Sequence, residues 1–295
     1  MFLFRVVFIL MAMSLAAQDP GFDTLPLWPD GPPSDNGLSG PERAGGCVGN
    51  ISEAMLFVYL PPAKKATGAA VVVTPGGGYG VVCERTEGHD AARILQPLGI
   101  ATIIVHYRLP NGNHTVPADD ARRAIRTVRH NAKAWRIDPK RVGVWGFSAG
   151  GHLASTVATV FDKGDAAAND EVERQSSRPD FAVLFYPVIS MEEGVTHGGS
   201  RRNLLGAAPT PELVARYNND ARVSKETPPV FLLHAADDRA VPIENALRFQ
   251  RALFANKVSV EALLFEKGGH GPGAFTRNPS WHGAFEAWLK RRGLL

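Results

Sequence analysis

The chain has 295 residues, 44% hydrophobic and 21% charged, with a formal net charge of +3. That length suits one α/β domain with a substantial core, and the composition excludes disordered and fibrous classes. The small positive charge is interspersed with acids, so no nucleic-acid partner is expected.

The chain opens on MFLFRVVFILMAMSLAAQDP, where Arg5 precedes an apolar run from Val6 to Leu15 and small residues follow. This is the order of a signal peptide over residues 1–17, with cleavage after Ala16 or Ala17. The run is shorter than the roughly 20 residues of a spanning helix, so an exported protein, periplasmic or secreted, is expected, with no membrane contact after cleavage. Residues 18–50, which include DTLPLWPDGPPSDNG, read as an extended N-terminal arm, and residues 51–295 as one α/β domain. Export permits disulfides. Cys47 and Cys83 read equally as one bridge or as two separate thiols.

From residue 54 onward, short apolar runs alternate with helical patterns. AMLFVYL (54–60), AAVVVT (69–74), ATIIVHY (101–107), RVGVWG (141–146), FAVLFYP (181–187), VFLLHA (230–235) and VEALLFE (260–266) suit strands buried on both faces. From Ala121, apolar residues recur at Ala124, Ile125, Val128, Ala132 and Trp135, one face of a helix. Arg122, Arg123, Arg126, Arg129 and Lys133 fall mainly on the other side and read as a solvated surface. PIENALRFQRALFAN (242–256) and SWHGAFEAWLKRR (280–292) are amphipathic, the second with Ser280 as N-cap. The alternation predicts a doubly wound, mostly parallel sheet flanked by helices. There is no room for a large cap domain. The longest insertion, 188–229, is expected to shape a cleft.

One turn carries the chemistry. In VWGFSAGGH (144–152) Ser148 sits between a strand and a helix, with Gly146 and Gly150 two residues to either side. Strand, tight turn and helix are what a nucleophile elbow needs, and the glycines remove side chains where the backbone turns sharply. An acid and then a histidine should follow. VFLLHAADDRAVP (230–242) ends a strand in two carboxylates, and Asp238 is preferred to Asp237 because Val241 and Pro242 lead from its loop into a helix. FEKGGHGPGAF (265–275) places His270 between glycines, whereas His234, inside a strand, and His152, one helical turn from Ser148, read as packing residues. Three glycines after the strand in VVVTPGGGYG offer the amides of Gly77 and Gly78, joined by that of Ala149, to a developing oxyanion. A phosphate loop is excluded because no Lys-Ser/Thr follows. No metal-ligand cluster is visible.

These residues resemble the α/β-hydrolase superfamily, and more narrowly its exported carbohydrate esterases, the acetyl xylan esterase and feruloyl esterase-like group. PGGGYG, YRLP (107–110), PADDARRAIRTVRHNAKAWRIDPKRVGVWGFSAGGHLAS (117–155), YPVISM (186–191), HAADDRAVPIENALRF (234–249) and GGHGPG carry the likeness, which spans about residues 50–292. Many relatives place His before the three glycines, where Pro75 stands here, so the loop's support must differ. TEGHD (86–90) resembles a Glu-Gly element of the group.

The resemblance implies hydrolysis of short acyl esters, acetyl above all, on a carbohydrate such as xylan. Ser148, His270 and Asp238 would act through an acyl-enzyme, without a cofactor, on a small-molecule or polysaccharide ester. Tyr79 and Glu87 become candidate substrate contacts, with a packing residue and a structural ion pair as their plainer readings. The alternatives are a general carboxylesterase or lipase, an oligopeptidase-like serine hydrolase, and a carbohydrate-binding protein on a hydrolase scaffold without activity. Nothing in the sequence sets an oligomeric state.

Overall fold

In the computed structural model, which describes residues 21–273 and 279–295, all seven expected strands are present and an eighth precedes them. The expected leader, residues 1–17, lies outside the described residues. The strands are β1 (Asp23–Pro26), β2 (Met55–Tyr59), β3 (Ala70–Thr74), β4 (Ala101–His106), β5 (Val142–Phe147), β6 (Ala182–Phe185), β7 (Val230–Ala235) and β8 (Val260–Phe265). They form one sheet in the order β1-β2-β4-β3-β5-β6-β7-β8. β2 runs antiparallel to both its neighbours, and every other pairing is parallel. This is the α/β-hydrolase arrangement that the resemblance implied.

β3 to β7 are buried along their whole lengths, which explains their unbroken Val, Ile, Leu and Phe runs. The outer strands differ from expectation. β2 alternates buried and half-buried positions, and β8 is half-exposed because, among the described residues, it lies at the sheet's edge. β1 was not expected within the arm. Its four residues pair with β2, from Asp23 opposite Val58 to Pro26 opposite Met55, and Pro26 is tolerated because the strand is an edge.

The helices are α1 (Asp90–Leu95), α2 (Val116–His130), α3 (Ala132–Trp135), α4 (Ser148–Thr159), α5 (Gly198–Leu205), α6 (Pro211–Arg216), α7 (Glu244–Ala255) and α8 (Trp281–Arg291). On one face of the sheet, Val72, Val144, Leu184 and Leu232 pack with α2, α4 and α7. On the other, Val71, Trp145, Phe185 and Phe231 meet α1 and the aromatic face of α8, where Trp281, Phe285 and Trp288 are buried. Truncating a fully buried aromatic such as Trp145 to Ala would cost about 3–5 kcal/mol. Ser280, the expected N-cap of α8, already has helical angles (φ −61°, ψ −22°).

The helix expected from Ala121 to Trp135 starts earlier and breaks sooner. Pro117 fits the first turn, where its missing N–H costs no hydrogen bond, and Asn131 (φ −86°, ψ 4°) separates α2 from α3. Its arginines do not form a solvated face, which corrects the charge-run reading. Arg123 is buried, stacks on Trp28 and bonds Asp170 and Glu173 at 2.5 and 2.8 Å. Arg126 pairs with Asp162 at 2.6 Å, and Arg129 with Asp180 at 2.9 Å. The acids come from the loop after α4, too far along the chain for a helical pattern to foresee.

Two motifs of the resemblance meet in the core. Arg108 of YRLP and Asp120 of PADD are both buried, 2.6 Å apart, and Trp28 of the arm donates to the same carboxylate at 2.7 Å. Burial pushes the Asp120 pKa up against those bonds, so removing either partner would strand a charge in the core. The arm is fastened again by a disulfide between Cys47 and Cys83. Val48 and Val82 pair beside it.

Candidate active site

Parallel strands in register align their carboxyl ends, so the loops that follow them converge. Thr74 at the end of β3 lies opposite Gly146 of β5, and Ala235 of β7 opposite Phe265 of β8. The loops beyond carry the three glycines, Ser148, Asp238 and His270, as expected for the carboxyl edge of such a sheet.

Ser148 opens α4 with φ +53°, a left-handed angle that a non-glycine residue holds only under local constraint. Its neighbours make that turn feasible. A Cβ on Gly146 would stand 2.2 Å from the Gly150 carbonyl oxygen, and one on Gly150 would stand 2.0 Å from that of Thr74. Only glycine fits at either position.

The Ser148 hydroxyl lies 2.9 Å from His270 Nε2, and His270 Nδ1 lies 2.7 Å from Asp238 Oδ2. With Nδ1–H donating to the carboxylate, Nε2 is left to accept the serine proton. Tyr186, at φ +39°, packs its ring edge-on against the imidazole, with centroids 4.9 Å apart.

Asp238 is buried, and burial alone would raise its pKa. Bonds from His234 and His270 and the Val241 amide outweigh that and hold it well below the usual carboxylate range. His234, expected to be a packing residue, therefore also serves the acid. Its Nε2 donates to the Val241 carbonyl at 2.9 Å and lies 3.2 Å from Asp238 Oδ2. Asp237 is exposed, and its Oδ1 accepts the amides of Gly268 and Gly269 at 2.8 and 2.7 Å.

The glycine loop is tied at each end. The Gly76 amide donates to Glu87 Oε2 at 2.5 Å, leaving those of Gly77 and Gly78 as the loop's candidates for an oxyanion, beside Ala149 at the start of α4. Gly77 has φ +127°, and a Cβ there would sit 2.1 Å from the Val81 carbonyl oxygen. Tyr107 donates to the Pro75 carbonyl at 2.8 Å, and Asn203 to that of Gly78 at 2.9 Å. These bonds support the loop where Pro75 precedes the glycines.

Both candidate substrate contacts are largely buried, and Tyr79 also lines a pocket beside the glycine loop. Glu87 is buried behind the loop, its other oxygen accepting Tyr186 Oη–H at 3.0 Å. Burial raises its pKa, partly opposed by the Gly76 amide and the Tyr186 hydroxyl. Tyr79 is buried too, with its hydroxyl on His152 Nδ1 at 2.8 Å. His152, whose Nε2 lies 2.9 Å from the Tyr217 carbonyl oxygen, is pushed down to about 4 by burial and stays neutral. Both side chains brace the site from within.

Sequence reasoning missed His197, on the long insertion. Its ring lies beside Gly78, 3.5 Å from where a Cβ would be. Its Nδ1 accepts from the Ser200 amide and hydroxyl at 3.2 and 2.9 Å, capping α5. With Nδ1 an acceptor, Nε2 carries the proton beside the glycine loop. Burial, then the neighbouring His270, keeps the His197 pKa low. A histidine at an N-cap, unlike Ser or Asp, gives no signal in sequence.

A nucleophile, a base, an orienting acid and convergent amides are together what acyl transfer requires. The family model BD-FAE matches residues 56–253. The chain is 35% identical over 275 residues to an acetylxylan esterase of Xylanibacter ruminicola, an alignment covering 92% of this chain and 50% of that protein. It is 36% identical over 221 residues to endo-1,4-beta-xylanase B of Butyrivibrio fibrisolvens, covering 73% of this chain and 34% of that protein. The chain thus spans half or less of the length of these relatives. The crystal structure of an acetyl ester-xyloside bifunctional hydrolase from Caldicellulosiruptor lactoaceticus superposes with a TM-score of 0.84 at 39% identity, covering 95% of this chain and 100% of that one.

Proposed function

The chain belongs to the BD-FAE family, and we propose that it is a serine carboxylic ester hydrolase that removes acetyl groups from xylan or its fragments. The observation that carries this reading is the unbroken hydrogen-bonded line from the Ser148 hydroxyl through His270 to Asp238. In the proposed reaction His270 Nε2 takes the serine proton as Oγ attacks the acetyl carbonyl. The amides of Gly77, Gly78 and Ala149 hold the oxyanion, and the imidazolium returns the proton to the departing sugar oxygen. Water, deprotonated by the same imidazole, then releases acetate from Ser148. Acetylated xylan is taken from the names of the relatives, an acetylxylan esterase among them.

Export is part of the reading. It is supported by the signal-peptide order of residues 1–17 and by the disulfide, a bond that lasts in oxidising compartments.

The test is acetate release from acetylated xylooligosaccharides, alongside feruloyl esters and peptides, by the wild type and Ser148→Ala. Acetate release that Ser148→Ala abolishes is the expected result. Turnover confined to peptides, or surviving the substitution, would overturn the reading.

A further inference from the structure

Beside the glycine loop lies a pocket of about 300 Å³, bordered by Arg43, Asn50, Tyr79, Gly80, Asn111, Arg202 and Asn203. It borders the glycine loop, since Tyr79 and Gly80 line it and Asn203 donates to the Gly78 carbonyl. Four chain segments build it: the arm, the glycine loop, the turn after β4, and α5 of the long insertion.

Its two cations differ from the arginines packed against the core. Arg201 pairs with Glu193, and Arg108, Arg123, Arg126 and Arg129 all have carboxylate partners. Among the described residues, Arg43 and Arg202 have no side-chain ion pair or hydrogen bond, and no acidic residue lines the pocket. The asparagine side chains are oriented by the backbone. Each Nδ2 donates to a carbonyl, Asn50 to Ser39 at 2.9 Å, Asn111 to Asn36 at 2.9 Å and Asn203 to Gly78 at 2.9 Å. Their Oδ1 atoms remain as acceptors. Two unpaired guanidinium groups beside neutral acceptors match a ligand with one carboxylate and several hydroxyls.

We propose that this pocket is a subsite for a uronosyl unit of the carbohydrate whose acyl group is cleaved at Ser148, an inference that rests on the esterase reading. The sugar carboxylate pairs with Arg43 and Arg202, and its hydroxyls donate to the asparagine oxygens. The substrate class is therefore an acidic, uronosyl-bearing acetylated saccharide in preference to a neutral one.

Calorimetric titration of the protein with two deacetylated xylooligosaccharides, identical except for one uronosyl branch, tests this. The branched one is expected to bind about tenfold more tightly at low salt, the scale of a charge-assisted hydrogen bond to exposed partners. The advantage should shrink in about 0.5 M salt, where the screening length falls to a few ångströms, and vanish in R43Q/R202Q. Equal affinities in the wild type, or a preference that survives the double substitution, would overturn the subsite. Hydrolysis of p-nitrophenyl acetate judges the esterase reading separately. Protein that discriminates the oligosaccharides but cleaves no ester keeps the subsite and loses that reading, and ester cleavage without discrimination does the reverse.

Discussion

Asp237 and Asp238 are adjacent in the chain yet hold the histidine loop by different means: Asp238 bonds the His270 ring at 2.7 Å, while Asp237 accepts the backbone amides of Gly268 and Gly269. Asp238→Asn should therefore lower kcat by roughly 10³–10⁴, since the imidazole loses both its orientation and its counter-charge. Asp237→Asn keeps an oxygen for the glycine amides and should cost about tenfold or less. Steady-state kinetics on p-nitrophenyl acetate compare them. Exchanged effects would make Asp237 the acid.

Glu87 anchors the oxyanion loop through the Gly76 amide and meets Tyr186 on its other oxygen. Glu87→Ala leaves both donors buried without their acceptor, at about 1–3 kcal/mol each. Because a slight misplacement of the Gly77 and Gly78 amides is felt in the transition state, kcat should drop by up to about a hundredfold with KM little changed. A raised KM with unaltered kcat would restore Glu87 to the role of substrate contact. Thermal unfolding of the same variant measures the stability loss.

Tyr79→Phe removes one hydroxyl and leaves His152 Nδ1 without its donor inside the core. The expected result is a loss of about 1–3 kcal/mol in unfolding free energy, with kcat/KM for acetylated xylooligosaccharides within a few-fold of wild type. Loss of kcat/KM at unchanged stability would make Tyr79 a substrate contact instead.

His106 is nearly buried between Glu84 at 2.6 Å and Glu42 at 2.8 Å. Burial pushes its pKa down, but the two carboxylates, Glu84 foremost, outweigh it and raise the value. A raised histidine pKa means that the folded state holds the proton more tightly than the unfolded chain does. The stabilisation is then complete below about pH 6.5 and fades as pH rises through the folded-state value. Urea unfolding of wild type and His106→Gln should show a wide stability gap near pH 5.5 that narrows towards pH 9. A gap that widens with pH would reverse the sign.

The central strands and the elbow were legible because each leaves a local mark: unbroken apolar runs for β3 to β7, and glycines flanking Ser148 where no Cβ fits. Asp238 and His270 could be read from their places after β7 and β8. The buried arginines of α2 were misread because their acids lie 36 to 51 residues away, beyond any helical period. The nearness of Tyr79 and Glu87 to the glycines in sequence gives no sign of the buried partners they meet. Tyr79 meets His152 through its hydroxyl, and Glu87 satisfies the buried Gly76 amide. His197 left no trace, because its neighbour Gly78 is over a hundred residues distant.

The Cys47–Cys83 bond joins the arm to the residue whose amide holds the Gly76 carbonyl at 2.9 Å. One covalent link therefore connects the cell's redox geography to the firmness of the glycine loop. With both cysteines reduced, the chain holds that loop by hydrogen bonds alone, and oxidation adds the last restraint. Preparations from a reducing host should gain both melting temperature and turnover on oxidation, and lose them again in dithiothreitol.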